Sequence, residues 1–209
     1  MQALGELGGG EVKVVGAGRT DAGVHATGQV ASALIDTDLS ADVLCNALNA
    51  RLPLDVHIRR SEEVPIAFNA RFDAKKRTYQ YYFIRRPTAL WRGRFYHIRG
   101  DFDTGAMRKA LHALLGDQDF TSFALSADTD KTNLCNIMQA ELNDVPPILT
   151  LTITADRFLH NMVRAIAGTI LEIGRGKSLE INEVIAARDR SAAGPNLPPH
   201  ALYLVRVAY

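Results

Sequence analysis

Cysteine is all but missing from this chain, and the two it has, Cys45 and Cys135, stand far apart. Neither has the paired spacing of a zinc knuckle, a redox motif or a disulfide framework, so both are expected as buried free thiols. The six histidines are scattered without a His-x-x-x-His or mixed His/Cys/Asp pattern, and no metal is expected. No run of about 18 apolar residues is present to span a bilayer. The opening MQALGELGGG lacks the charged start and apolar stretch of a signal peptide. A cytoplasmic location with no membrane partner is the expectation. Internal repeats and low-complexity tails are also absent, while a hydrophobic content of 47% over 209 residues suits one large globular domain or two small ones.

An excess of charge of either sign is lacking too, the net being only +1. The distribution is uneven, however. From Arg51 to Arg99 twelve basic residues face four acidic ones, and from Asp101 to His160 nine acidic face four basic. Such segregation is a footprint for a polyanion if the fold gathers the basic set on one face, and ordinary solvated charge if it does not.

Hydrophobic periodicity predicts strands at Val12 to Gly16, Thr27 to Ile35, Asp55 to Arg60, Arg77 to Arg85 and Phe95 to Arg99, with a helix over about Ala41 to Ala50. Asp103 is placed to cap a helix running to Leu115, with Phe102 and Met107 as a hydrophobic staple and Gly116 as its stop. Its core face would be Met107, Leu111, Leu114 and Leu115. Two more strands, Asn133 to Leu142 and Ile148 to Ala155, are joined through Pro146 and Pro147. The second alternates Leu149, Leu151 and Ile153 against threonines. Val163, Ile166, Ile170 and Ile173 mark an amphipathic helix from near His160 to Gly174. A short helix ends near Arg188, Ser191 to Pro199 is a loop, and Leu202 to Ala208 closes the chain as a strand. Strands in runs separated by helices favour an antiparallel α+β architecture over strict βαβ alternation. Helices would cover one sheet face, leaving the other free, and a free face lined with Arg and Tyr suits RNA.

The most informative segment is Val15 to Gly28, VGAGRTDAGVHATG, a glycine-rich turn that presents one carboxylate, Asp21. Gly16-x-Gly18 after a strand begins a dinucleotide-binding fingerprint, but the third glycine position is Asp21, whose charge would repel a pyrophosphate. No Gly-Lys-Ser/Thr closes a P-loop either. From the residues alone, Asp21 is then either a helix cap or Asx turn with Arg19 as a surface partner, or a functional carboxylate. His25 reads equally well as a turn or core residue.

The string Gly18-Arg19-Thr20-Asp21-Ala22-Gly23-Val24-His25 resembles the signature of the TruA family of tRNA pseudouridine synthases. Similarity continues along the chain in Phe68-Asn69-Ala70-Arg71-Phe72, Arg77-Thr78-Tyr79, Asp119-Phe120-Thr121-Ser122-Phe123, Phe158-Leu159-His160-Asn161-Met162-Val163-Arg164 and Ala201-Leu202-Tyr203-Leu204. The resemblance implies a pseudouridine synthase fold: two α+β subdomains, 1–72 and 73–209, a mainly antiparallel central sheet with helices on one face, and an RNA-binding active-site cleft. It implies isomerisation of uridines at positions 38–40 of the tRNA anticodon stem-loop, without a cofactor, by a cytoplasmic homodimer. Asp21 would be catalytic, as nucleophile or as base. Tyr79 would stack on the extruded base, Arg164 would pair with the aspartate, Arg19 would act near the flipped nucleotide, and Leu204 would wall the pocket. On the residues alone, Arg164 reads as a surface arginine one position off its helix stripe, with Gly168 one turn later able to admit another backbone. Tyr81 and Phe83, on the same strand face as Tyr79, read as core.

Two departures from the family pattern stand out. An expected first strand with Tyr-Asp-Gly-Thr and Gly-Trp-Gln is not found, and Met1 to Leu7 look like the tail of the helix that would follow it. Ala201 stands where glycine usually precedes Leu-Tyr-Leu. A truncated member that binds RNA without converting it is therefore the alternative expectation.

Overall fold

The computed structural model describes residues 1–8, 10–86, 88–125 and 132–209. The chain divides into two compact units, one formed by residues 1–19 and 30–74, the other by 20–29 and 75–209. In chain order the first elements are α1 (Gln2–Gly8), β1 (Val14–Gly16), β2 (His25–Ala26), β3 (Ala31–Ala33), α2 (Ala41–Asn49) and β4 (Lys76–Ile84). There follow β5 (Tyr96–His97), α3 (Thr104–His112), β6 (Gly116–Asp119), β7 (Leu134–Val145), β8 (Ile148–Ala155), α4 (Met162–Gly174), α5 (Ile181–Ala187) and β9 (Leu202–Ala208).

The smaller unit pairs β1 with β3 antiparallel, Val14 opposite Ala33 and Gly16 opposite Ala31. The strand expected over residues 55–60 does not form. The Asn49 side chain takes both main-chain groups of Ile58, its Oδ1 accepting from Ile58 N at 2.8 Å and its Nδ2 donating to Ile58 O at 2.8 Å. A segment whose polar groups are satisfied by one carboxamide has no need of a ladder partner.

The larger unit is built on a seven-stranded sheet in the order β2-β9-β4-β8-β7-β6, with β5 beside β4. All pairings are antiparallel except β2 with β9 and β4 with β5. Leu149, Leu151 and Ile153 of β8 are fully buried together with Tyr81 and Phe83 of β4, as alternation and the core reading of those two rings require. This face packs under α3 and α4, whose Met107, Leu111, Ile166 and Ile170 join the same core. The opposite face is polar: Thr78 bonds Thr154 at 2.9 Å, Gln80 bonds Thr152 at 3.2 Å, and Tyr82 donates to Gln80 at 2.5 Å. The helix-covered face carries Tyr79 with Tyr81 and Phe83, and the opposite face carries Tyr82, Tyr203 and Arg206.

Further expectations are corrected. The strand expected over Thr27 to Ile35 shortens to β3, Ala31–Ala33, and ahead of it Gly28 meets β9 so closely that a Cβ there would lie 2.1 Å from Val205 O. The N–H groups of Thr27 and Gly28 both donate to Leu204 O at 3.0 Å. The Phe95 to Arg99 strand shrinks to Tyr96–His97. Asp103 caps α3 as expected, its Oδ1 accepting from Gly105 N at 2.7 Å and Ala106 N at 3.1 Å. That helix ends at His112, Leu115 is exposed, and Gly116 opens β6. Polar Gly-Asp-Gln-Asp shows no strand pattern in sequence, and it forms β6 only through its pairing with β7.

Gly168 lies where the loop after α5 crosses α4, and a Cβ at this position would sit 1.8 Å from Pro195 O. Gly168→Ala is expected to destabilise the protein by about 1–3 kcal/mol. The chemical denaturation midpoint measures this, and an unchanged midpoint would show that the loop moves aside at no cost.

Candidate active site

The segment from Thr20 to Gln29 belongs to the larger unit, although the chain on both sides of it belongs to the smaller one. It is anchored by β2, which runs parallel to β9 with His25 opposite Tyr203 and Ala26 opposite Leu204. The turn closes where Val24 N donates to Asp21 O at 3.0 Å. His25 stacks on Tyr203, ring centroids 4.7 Å apart, which places it in the turn's anchor rather than at the carboxylate.

Asp21 is reached from the first turn of α4. Arg164 Nη1 donates to Asp21 Oδ2 at 3.1 Å and also to Asn161 Oδ1, while its Nε donates to Leu197 O at 2.7 Å. Leu197 N returns a bond to Arg164 O at 3.3 Å. Asn161, with φ 63°, stands at the cap position of α4 and turns the chain into the helix. The second carboxylate oxygen, Oδ1, lies 3.4 Å from His160 Nε2. The side chains of Arg164, Asp21 and His160 are 17%, 31% and 53% exposed, so the charge is shielded on its arginine side and open on its histidine side.

Tyr79 lies on β4 opposite Leu204 of β9, and Leu204 in turn lies opposite Ala26 of β2. Three adjacent strands thus carry a row that ends beside the turn holding Asp21. Leu204 is fully buried and the Tyr79 ring is 7% exposed, edge-on to Phe158 at 5.0 Å. Burial raises the Tyr79 phenol above its ordinary value, Arg77 opposes this, and the Asp21 carboxylate adds to it. Tyr79 is therefore a neutral phenol throughout the physiological range.

Of the residues expected at the site, Asp21, Arg164, Tyr79 and Leu204 all lie in the larger unit. Arg19 is exposed and is the last residue of the smaller unit's first segment. The residues that sequence reasoning did not single out are Phe158, His160 and Asn161. All three lie in the same run that carries Arg164, but only the folded path of Arg164 shows which of its neighbours matter. Among the described residues no three His, Cys, Asp or Glu side chains gather as a metal site requires. None of the described helices is long and apolar enough to cross a membrane.

A family model described as tRNA pseudouridine synthase matches residues 2–73 and 110–209. The tRNA pseudouridine synthase A of Acetivibrio thermocellus is 41% identical over 212 residues, covering 100% of this chain and 87% of the relative. That of Bacteroides thetaiotaomicron is 42% identical, with 100% of this chain and 80% of the relative covered. The Bacillus licheniformis protein of the same name is 41% identical, with 95% and 82% covered.

Arg164 bonds three acceptors at once, which the single ammonium of lysine does not reproduce. Arg164→Lys is expected to cost about 1–3 kcal/mol of stability, because Leu197 O or Asn161 Oδ1 loses its donor. Asp21→Asn should cost about 1 kcal/mol or less, since the ion pair is partly solvated. Urea denaturation of both variants measures the difference. A larger loss for Asp21→Asn would make the carboxylate a folding element.

Proposed function

The chain belongs to the tRNA pseudouridine synthase family, and we propose that it converts uridine to pseudouridine in the anticodon stem-loop of tRNA, at positions 38–40, with Asp21 as the essential carboxylate. The observation that carries this reading is the three-point hold of Arg164 on Asp21, Asn161 and Leu197, which fixes one carboxylate oxygen and leaves the other less engaged.

The reaction breaks the N1–C1′ bond of uridine and forms a C5–C1′ bond, C5 losing a proton and N1 gaining one. Atoms and electrons balance within the substrate, so no redox partner and no cofactor is called for. One positioned carboxylate is required, as a nucleophile toward ribose or base or as the base that removes a ribose proton. Oδ2 is committed to Arg164. Among the described residues Oδ1 lies 3.4 Å from the exposed His160, and it is the oxygen assigned to meet the substrate.

A stacked uridine must first be turned out of its helix, at a cost of about a few kcal/mol. Tyr79 is assigned the extruded base, Leu204 the wall of its pocket and Arg19 a place near the flipped nucleotide. The neutrality of Tyr79 next to Asp21 suits this assignment, since a phenolate would repel the carboxylate it adjoins. In the same reading the working form is a homodimer in the cytoplasm.

Asp21→Asn is expected to reduce pseudouridine formation on unmodified tRNA by at least about a thousandfold, while its affinity for tRNA stays within about threefold. Normal turnover by the variant would reject Asp21, and tRNA binding without product by the wild type would reject the reaction.

Tyr79→Phe should keep most of the kcat that Tyr79→Ala loses. Equal losses in the two variants would assign the hydroxyl, rather than the ring, to the chemistry.

A further inference from the structure

The stretch from Arg85 to Arg99 carries five arginines and no carboxylate. Arg85 is committed to Asp144 by two bonds of 2.6 and 2.7 Å. Arg92, Arg94 and Arg99 are exposed, and none of them pairs with a carboxylate among the described residues.

This stretch is fixed rather than loose. Three consecutive carbonyls, Gly93 O, Arg94 O and Phe95 O, meet His25 Nε2 at 3.4 Å, Tyr203 Oη at 3.2 Å and His200 Nε2 at 3.2 Å. Because a carbonyl only accepts, the proton in each histidine contact is on Nε2. Two of these three side chains come from the anchor of the Asp21 turn: His25 is four residues beyond Asp21, and Tyr203 precedes Leu204 on β9. A continuous row of rings follows the same path. His25 stacks on Tyr203, Tyr203 meets Tyr82 edge-on at 5.0 Å, Tyr82 meets Phe95 at 5.4 Å, and Phe95 meets Trp91 edge-on at 5.0 Å. Trp91 ends the row and is 43% exposed. It lines a cavity of about 680 Å³ shared with Arg92, Phe95, His97, Arg99 and His200.

We propose that this cavity and its arginine rim form a second RNA site, in which Trp91 stacks on an unpaired base of the substrate and Arg92, Arg94 and Arg99 hold the adjoining phosphates. The proposal rests on the reading of the chain as acting on tRNA. A satellite core would enclose Trp91 and pair the arginines, and neither is the case here. Self-association is disfavoured by symmetry: a two-fold contact centred on the patch would set its three arginines against three more. A polyanion with exposed bases complements both the charge and the rings. Because the patch is bonded to the anchor of the Asp21 turn, nucleotides held on it are held at a fixed distance from the reacting uridine.

The test uses the full chain and an unmodified tRNA transcript, with affinity read by fluorescence anisotropy over a range of salt and oligomeric state by sedimentation velocity. Wild type is compared with Trp91→Ala, with a triple variant (Arg92→Ala, Arg94→Ala, Arg99→Ala), and with Lys109→Ala on the exposed side of α3 as a charge control. The triple variant should bind at least about tenfold more weakly and lower the slope of log affinity against log salt by about 2–3. Trp91→Ala should weaken binding about five- to tenfold with the slope unchanged. Lys109→Ala and the oligomeric state should not respond. An unchanged affinity and slope in the triple variant would overturn the proposal, as would an equal loss in Lys109→Ala. A shift in oligomeric state would also overturn it, by assigning the patch to a second copy of the chain. A wild type that binds tRNA and shows these losses, yet forms no pseudouridine, would remove the reaction and leave this site standing. A wild type with no affinity for tRNA would remove both.

Discussion

One guanidinium ties together the parts of the chain on which the site depends. Arg164 bonds the carboxylate of the glycine-rich turn, the carboxamide that opens its own helix, and a carbonyl of the loop that follows α5. Each partner belongs to a different stretch of sequence, so the position of Asp21 is set by three independent segments. The loop reaches Arg164 because Gly168 lets Pro195 lie against the helix backbone. The far end of the same helix is held in place where Asp103 N donates to Gly174 O at 2.7 Å. Substituting bulk at Gly168 would therefore disturb the aim of Asp21 without touching it.

The two faces of the central sheet divide the work. The face under the helices is apolar and carries Tyr79 and Leu204, so the residues proposed to meet the base are fixed by the packing that holds the fold together. The opposite face is laced by threonine, glutamine and tyrosine side chains and leads out to the ring row ending at Trp91. β4 and β9 contribute to both faces by simple alternation, Tyr79 against Gln80 and Leu204 against Tyr203. A change in the pairing register of these strands would exchange the two sets at once.

Much of this was legible in the residues, and the reasons are physical. The strand Ile148–Ala155 alternates because one side is core, and the closing strand Leu202–Ala208 has the same cause. The Asp103 cap is a local bond, and local bonds leave local signatures. What was not legible depends on partners distant in sequence. β6 is a strand because β7 lies beside it, and residues 55–60 are irregular because Asn49 reaches them. The strand expected from Thr27 to Ile35 keeps only Ala31–Ala33, because β9 meets the chain at Gly28. Family resemblance singled out Asp21, Tyr79 and Arg164, but the contact of His160 with the carboxylate required the path of the folded chain.

The helix that carries Arg164 is buried from Met162 through Gly174 on nearly every side, with Arg164 itself among its few half-covered positions. Such burial leaves little to be gained by local opening, so its amides are expected to exchange slowly with deuterium. The arginine that aims the carboxylate thus sits on one of the most buried elements of the larger unit. Thermal fluctuation should reach the turn and the exposed rim long before it reaches the element that orients them, and the alignment of the reactive group should persist to the same temperature as the fold.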